Sequence, residues 1–140
     1  MKLNMNNGKK LPLVSIIMNC YNGEKYLKQS IKSVIQQKYQ NWEIIFFDNC
    51  STDKSVTTAK SFQNKRIKIY KSNKYLKLYA ARNLALKYAK GDYIAFLDTD
   101  DYWDSKKLFL QIDYILEKKK NLSFQTFIIY VVKKNILIKK

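Results

Sequence analysis

Apolar residues occur along the chain in short runs that alternate with stretches of helical periodicity. The short runs are rich in β-branched and aromatic residues, which is typical of buried strands. They predict strands at residues 13–18, 42–47, 67–70 and 93–97. Apolar residues three and four apart predict helices at residues 24–37, 78–90 and 106–118, with a further helix after residue 52. This alternation predicts an α/β fold, with a mostly parallel sheet and helices on both faces.

Capping residues mark several boundaries between these elements. Ser51 or Thr52 is expected to cap the second helix, because a hydroxyl there can accept hydrogen bonds from the N–H groups of the first turn. Gly91 follows the third predicted helix and is expected to terminate it. Asp101 and Asp104 are expected to cap the fourth helix.

The two ends of the chain differ from its middle in composition. Residues 1–11 are expected to form a flexible terminus, and residues 12–120 form the predicted domain. Residues 121–140 are apolar and lysine-rich, with a further predicted strand at 127–132, and no acidic residue follows Glu117. No apolar run approaches the roughly 20 residues of a membrane helix, and no signal peptide is recognisable. A cytoplasmic location is therefore expected.

The charge of the chain is strongly positive. Its 140 residues include 27 Lys and Arg against 11 Asp and Glu, and no His, for a formal net charge of +16. Without His, Ser-His-Asp catalysis and the ordinary zinc sites are excluded. Arg66 and Arg82 are the only arginines, whereas base recognition favours the planar guanidinium group. A solvated lysine-rich surface is the first interpretation, attraction to an anionic membrane is the second, and nucleic acid is not an expected partner.

Against this background, five of the 11 acidic residues fall within residues 91–104. Asp98, Asp100 and Asp101 emerge directly after a predicted strand, at the edge where open α/β sheets bind ligands. Carboxylates gathered there repel one another unless a cation lies between them. Asp98-Thr99-Asp100 is therefore interpreted as a site for a divalent metal ion and a diphosphate.

Two further polar loops, residues 19–22 and 48–49, follow predicted parallel strands and are expected at the same edge of the sheet. The chain contains only three glycines and neither of the usual glycine-rich phosphate motifs. A phosphate would therefore have to be held by a metal ion and side chains. A local alternative remains for Asp48 and Asn49, which are able to form a simple Asx turn.

Four segments together resemble the nucleotide-sugar half of family 2 glycosyltransferases of the GT-A fold. They are VSIIMNCYN at 14–22, DNCSTD at 48–53, ARN at 81–83 and GDYIAFLDTDD at 91–101. The resemblance covers residues 13–117 and implies an incomplete, Rossmann-like GT-A domain. The lead-in to the third helix, at residues 74–77, and the segment after Glu117 depart from the family pattern.

The resemblance also implies roles for individual residues. Asn19, Tyr21 and Asp48 would hold the nucleobase, usually uracil. Asp98 would lie beside the ribose, and Asp100 would coordinate Mg²⁺ or Mn²⁺ bridging the diphosphate. Arg82 would approach the nucleotide. Packing is the alternative role for Tyr21, and a structural role is the alternative for Arg82.

The activity implied by the resemblance is an inverting transfer of a sugar from a nucleotide diphosphate sugar, expected to be a UDP-sugar. The acceptor would be a glycan or a lipid-linked acceptor of cell-surface polysaccharide synthesis, with peripheral contact at the inner face of the membrane. The family's catalytic base would lie beyond this chain, which is interpreted as truncated or frame-disrupted. The alternatives are a non-catalytic nucleotide-sugar-binding module and a basic module that binds nucleic acid or a membrane surface.

Overall fold

The computed structural model describes residues 10–118 and 129–130. Nine elements follow one another along the chain. They are β1 (Val14–Cys20), α1 (Glu24–Ile35), β2 (Trp42–Asp48), α2 (Ser55–Ser61), β3 (Ile67–Lys71), α3 (Leu78–Leu86), β4 (Tyr93–Phe96), α4 (Lys107–Lys118) and β5 (Ile129–Tyr130). Each predicted strand and helix up to residue 118 is present, with boundaries that differ by a few residues.

The strands form one sheet in the order β3-β2-β1-β4-β5. The first four are mutually parallel, and β5 pairs antiparallel with β4. β1 and β2 are central and have apolar side chains on both faces, which explains their continuous apolar runs. The predicted mostly parallel α/β sheet is thereby confirmed.

Helices cover both faces of the sheet, as predicted. Leu27, Ile31 and Val34 of α1 are fully buried on one face, where Ala59 of α2 and Leu108 of α4 also join the core. On the opposite face, α3 buries its alanines against the sheet residues Ile17, Ile45 and Phe47. Burial of each large aliphatic side chain contributes roughly 1.5–3 kcal/mol, so the two cores fix the positions of the loops between the elements.

The predicted role of Gly91 is wrong. α3 ends at Leu86, and Gly91 instead begins the approach to β4. A Cβ atom on Gly91 would lie 2.6 Å from the backbone nitrogen of Ser15 and 2.7 Å from the carbonyl oxygen of Leu13. Glycine is therefore required because two backbone segments touch there.

The predicted helix caps Ser51, Thr52 and Asp101 are also wrong. Asp101 lies well before Lys107, where α4 begins, and its carboxylate accepts no hydrogen bond from the described residues. α2 begins at Ser55, preceded by Lys54 without a side-chain cap, so Ser51 and Thr52 lie too far upstream to cap it. Asp104 does accept a hydrogen bond from the N–H group of Lys106, at 2.8 Å, just before α4. The sequence signal located the loops correctly but misassigned the partners of their hydroxyl groups.

The predicted strand at 127–132 is confirmed at Ile129–Tyr130, and its other residues lie outside the described part of the chain. The terminus at residues 1–9 and most of the segment 121–140 lie outside it as well. Of the helices in residues 10–118, none is long and apolar enough to cross a membrane.

Candidate functional site

Three loops meet at the carboxyl edge of the sheet. β1 and β2 end in register at Cys20 and Asp48, and the N–H group of Asn49 donates to the Cys20 carbonyl at 2.7 Å. The loop after β4 joins them, since the Ser30 hydroxyl donates to the Asp98 carbonyl at 3.2 Å. A Cβ atom on Gly23 would lie 2.7 Å from the Thr99 hydroxyl oxygen. The expected convergence of the three polar loops is therefore present.

The loops after β1 and β2 exchange hydrogen bonds. The Asn22 N–H group donates to the Ser51 hydroxyl at 2.9 Å, and the Thr52 N–H group donates to the Asn22 side-chain oxygen at 2.8 Å. Asn22 and Cys50 both have left-handed backbone angles, with φ of 52° and 65°. Such angles are unfavourable outside glycine, and this network holds them in place.

The first turns of α1 and α2 are capped across this junction. The Asp53 carboxylate accepts the N–H group of Glu24 at 3.0 Å, and the Glu24 carboxylate accepts the N–H group of Lys54 at 3.1 Å. The Ser55 hydroxyl accepts the Gly23 N–H group at 3.0 Å. Each loop thus satisfies donors at the start of the other loop's helix, which makes the two loops one rigid unit.

Two titratable groups in this unit are perturbed. Partial burial raises the pKa of the Asp53 carboxyl, but hydrogen bonds from Ser55 and from the Glu24 and Ser55 N–H groups outweigh it, so the pKa is lowered overall. Burial raises the pKa of the Cys20 thiol, and hydrogen bonds offset this effect only in part. Cys20 is therefore a protonated packing residue and not a nucleophile. Both Cys20 and Cys50 are free thiols.

Asn49 ties a third segment to the edge. Its amide donates to the Leu76 carbonyl at 2.8 Å and accepts the Leu76 N–H group at 2.9 Å. The Ser72 N–H group also donates to the carbonyl oxygen of Asp48, at 2.8 Å. Sequence reasoning missed this role of Asn49, because the partner lies 27 residues away and no local spacing indicates it. The Asx turn considered for Asn49 is replaced by this long-range clamp.

Arg82 and Asp98 form an ion pair. Arg82 Nη2 lies 2.8 Å from Asp98 Oδ1, and the two side chains are 33% and 55% exposed. The guanidinium also lies 5.4 Å from the centre of the Phe96 ring. Two residues that the family resemblance implies to lie near the nucleotide are therefore brought together at the end of β4. Because both are partly solvated, the pair contributes little to stability, within about 0–1 kcal/mol.

Asp48 and Asn19 lie on the two central strands; Asp48 is buried, and Asn19 is partly buried with its side-chain polar atoms shielded from solvent. Asp48 is 3% exposed, and its carboxylate accepts the Ser51 N–H group at 3.3 Å. The side-chain nitrogen and oxygen of Asn19 are buried and have no hydrogen-bond partner among the described residues. A buried amide without a partner costs about 1–3 kcal/mol, so Asn19 marks a position suited to a ligand or a water molecule.

Tyr21 lies at the rim and contacts a second tyrosine. The rings of Tyr21 and Tyr75 are 4.9 Å apart between centroids and are tilted by 67°. Both are solvent-exposed, at 54% and 61%. Tyr75 belongs to the segment clamped by Asn49, and no sequence pattern indicated that it would lie here. Neither ring is buried in the core, so both rings remain accessible to a ligand at the rim.

Asp100 is exposed and forms no ion pair among the described residues. Within residues 10–118, no three acidic, His or Cys side chains are grouped so as to hold a metal ion by themselves. The candidate metal ligand is the carboxylate of Asp100. Close to it in sequence is Asp98, one oxygen of which is paired with Arg82. This set fits Mg²⁺ or Mn²⁺, which commonly take one or two protein carboxylates and complete their coordination with phosphates and water.

The fold and edge geometry agree with the chain's similarity to known proteins. Residues 15–138 match the model of a protein family described as glycosyl transferase family 2. A β-1,3-glucosyltransferase of Escherichia coli, WfgD, is 44% identical over 129 residues, which are 91% of this chain and 50% of that protein. TuaG of Bacillus subtilis, a putative teichuronic acid biosynthesis glycosyltransferase, is 37% identical over 81% of this chain and 46% of its own length.

Solved structures show the same architecture. The crystal structure of S. aureus TarS residues 1–349 superposes with a TM-score of 0.74 at 29% identity, over 77% of this chain and 33% of that one. The same protein has been solved in complex with UDP-GlcNAc, with a TM-score of 0.72. This chain spans about half the length of the curated relatives that it matches. The chain has a GT-A-like fold and belongs to glycosyl transferase family 2.

Proposed function

We propose that this chain is the donor-binding part of a glycosyltransferase that moves a sugar from a UDP-sugar to a glycan or lipid-linked acceptor of a cell-surface polysaccharide. The observation that carries the proposal is the convergence of three strand-end loops at one edge of the sheet, with Arg82 and Asp98 already paired there. Membership of the family, the name of WfgD as a glucosyltransferase and the complex of TarS with UDP-GlcNAc support the proposal.

The nucleobase would enter between the loops that follow β1 and β2. Asn19 has an amide donor and an acceptor without partners among the described residues, which matches the alternating donors and acceptors of uracil. The carboxylate of Asp48 accepts one hydrogen bond, from the Ser51 N–H group, and retains acceptor capacity for a ring N–H group. Tyr21 offers an exposed aromatic face for stacking, a contact of roughly 1–3 kcal/mol per base in single-stranded nucleic acids.

The diphosphate would lie over the loop at residues 98–101. Asp100 would hold a Mg²⁺ or Mn²⁺ ion, which would stabilise the negative charge of the departing nucleoside diphosphate. Arg82 neutralises Asp98 and keeps that carboxylate oriented beside the position proposed for the ribose. Inversion at the sugar carbon and peripheral attachment to the membrane belong to the same proposal.

The test is calorimetric titration of the full chain with UDP, with and without Mn²⁺. We expect binding that requires Mn²⁺, and a loss of affinity of at least about 10-fold in Asp100→Ala, on the scale of one lost charge-assisted contact. Asp101→Ala is the matched control, since it removes the neighbouring exposed carboxylate. Equal affinities for the two variants would remove Asp100 from the metal site.

Turnover separates the proposed enzyme from a binding module. UDP release from UDP-sugar, with and without a diphosphate-lipid acceptor, measures hydrolysis and transfer. Release that depends on Mn²⁺ supports catalysis by this chain itself. Metal-dependent UDP binding without release indicates that this chain binds donor and that the remaining catalytic groups lie elsewhere.

A further inference from the structure

A groove on the outer surface of α1 is separate from the donor-site residues. It encloses about 460 Å³ and is lined along the helix by Lys25, Lys28 and Lys32, and on its other side by Tyr102 and Trp103. We call it the lysine groove. None of the residues predicted to bind donor or metal lines it.

The three lysines present their charges on one side of α1. They are spaced three and four residues apart, so they lie on the same helix face over about 10 Å of its length. All three are solvent-exposed. The Arg82–Asp98 pair is the only ion pair in the described part of the chain, so none of these lysines is held in an ion pair there. Because the charges are spread along the helix, they suit an extended anionic surface better than a single phosphate group.

The opposite wall of the groove is aromatic and firmly held. The backbone N–H group of Trp103 donates to the Ser33 hydroxyl at 3.1 Å, and the Trp103 side chain packs against the main core. The Lys107 ammonium lies 3.8 Å from the centre of the Trp103 ring. Tyr102, beside it, is 69% exposed. An exposed tyrosine next to an anchored tryptophan is the combination favoured where lipid headgroups meet water.

The position of the groove links it to the donor site. Tyr102 is only two residues beyond Asp100, so the aromatic wall continues directly from the loop proposed to hold the metal ion. Asp101 is the acid that lies between them, and the three lysines of α1 outweigh its charge. A surface bound in the groove would therefore lie beside the mouth of the donor crevice.

We infer that the lysine groove docks the protein on an anionic lipid bilayer. The lysines contact lipid phosphates, and Tyr102 enters the headgroup layer. This inference rests on the proposed function, because a lipid-linked acceptor places the reaction at a bilayer. Free inorganic phosphate or diphosphate has the same chemistry, and the experiment distinguishes it from the bilayer.

The experiment measures cosedimentation of the full chain with vesicles of phosphatidylglycerol and phosphatidylcholine, compared with phosphatidylcholine alone. The triple variant Lys25→Gln, Lys28→Gln, Lys32→Gln is compared with Lys60→Gln, Lys65→Gln, Lys68→Gln. The control loses the same charge from exposed positions on α2, the following loop and β3. Each lysine near an anionic membrane surface increases vesicle affinity about fivefold, so the groove variant is expected to bind vesicles roughly 100-fold more weakly than the wild type. The control variant is expected to lose much less.

Trp103 provides a second measurement. Trp42 is 1% exposed, so a blue shift of tryptophan emission on adding anionic vesicles reports mainly on Trp103. Equal losses in the two triple variants, or no emission shift, would overturn the inference. A shift produced equally by inorganic diphosphate, with no further effect of vesicles, would assign the groove to a free phosphate ligand instead.

UDP titration distinguishes failure of this inference from failure of the proposed function. The groove variant is expected to keep the UDP affinity of the wild type, since its lysines lie outside the predicted donor site. Loss of vesicle binding with intact UDP binding supports both proposals. If the chain never binds UDP but its vesicle binding still depends on the groove lysines, the docking surface is supported and the glycosyltransferase proposal is contradicted.

Discussion

Two buried polar sites at opposite edges of the sheet differ in how far their groups are hydrogen-bonded within the fold. At the amino edge, the Ser15 hydroxyl donates to the Glu43 carboxylate at 2.7 Å and accepts the Gly91 N–H group at 2.8 Å. The same Glu43 oxygen accepts the Lys90 N–H group at 2.9 Å. At the carboxyl edge, the buried amide of Asn19 has no partner among the described residues. Groups satisfied internally stabilise the fold, whereas groups left unsatisfied are available to a ligand.

The comparison extends to the charged residues. Glu43 is 8% exposed and one of its oxygens accepts two hydrogen bonds, so it acts as a structural carboxylate in spite of its charge. Asp100 is exposed and unpaired among the described residues, at an edge that the fold leaves open. Polar identity alone therefore does not separate structural from functional acids. Their place on the sheet and their partners do.

The largest expected effect is on stability at the amino edge, in Gly91→Ala. The new Cβ atom would lie 2.6 Å from the Ser15 backbone nitrogen, so the backbone itself has to move. We expect a loss of about 3 kcal/mol, at the upper end for an overpacked site, measured by chemical denaturation. Gly23→Ala at the carboxyl edge is the matched control. Its Cβ atom would meet the side chains of Thr99 and Cys20, which are able to shift, so a loss of about 1 kcal/mol is expected.

Ser15→Ala is expected to have the next largest effect. It removes the acceptor of the Gly91 N–H group and one donor to Glu43, which leaves a buried N–H group without a partner. The expected loss is about 2 kcal/mol in the free energy of unfolding, with unchanged UDP affinity. Ser61→Ala is a suitable control, because that exposed hydroxyl bonds only within its own helix turn. A matching loss in both variants would mean that the Ser15 network adds nothing specific to the fold.

Asn19→Leu tests the opposite edge with a substitution of similar size. Because the amide is buried and has no partner within the described part of the chain, removing it should leave stability unchanged or raise it by about 1 kcal/mol. UDP affinity should fall at the same time. Denaturation and calorimetry on one preparation measure both quantities. A clear loss of stability would show that water or another group already satisfies Asn19, and the contrast between the two edges would then fail.

Sequence patterns predicted the layers of the fold because strand and helix periodicities follow burial directly. The continuous apolar runs of β1 and β2 reflect their burial on both faces, and the spacing of Leu27, Ile31 and Val34 places α1 on the sheet. The parallel order also placed Asp48 and the Asp98 loop at the same edge. Topology alone was sufficient for this, since parallel strands end on one side.

Long-range pairings were beyond the reach of sequence patterns. Ser51 and Thr52 carry a capping signature, yet they bond to Asn22 in another loop, about thirty residues away. The position of Gly91 after a predicted helix indicated a helix terminator, whereas the absence of a side chain there allows close backbone contact with β1. The clamp between Asn49 and Leu76, which brings Tyr75 to Tyr21, has no local spacing that would indicate it. Local propensity identifies a loop residue, but its partner depends on the tertiary fold.

The smallest expected effect is on the pH dependence of stability. It arises at Asp53, whose carboxylate connects two of the carboxyl-edge loops. Hydrogen bonds to Asp53 hold its pKa below the ordinary value of 3.8, despite the opposing effect of partial burial. Since the folded-state pKa is the lower one, the stabilisation is complete above the unfolded-state value. It is lost as the pH falls through the folded-state value. Asp53 thus contributes acid sensitivity to the capping of α1.

Asp53→Asn should therefore reduce the difference between the free energies of unfolding measured at pH 7 and near pH 3. The amide has a single acceptor oxygen, so it can accept the N–H group of Glu24 or of Ser55 but not both, and it does not titrate. Stability at pH 7 should therefore fall slightly, toward that of the wild type with a protonated Asp53. Asp101→Asn is the control, because that exposed acid accepts no hydrogen bond from the described residues. An identical pH dependence in wild type and Asp53→Asn would mean that the junction of the two loops is not held by the ionised carboxylate. The junction would then rest on the neutral contacts of Asn22 and Ser55 and on the hydrogen bond from the Lys54 N–H group to the Glu24 carboxylate.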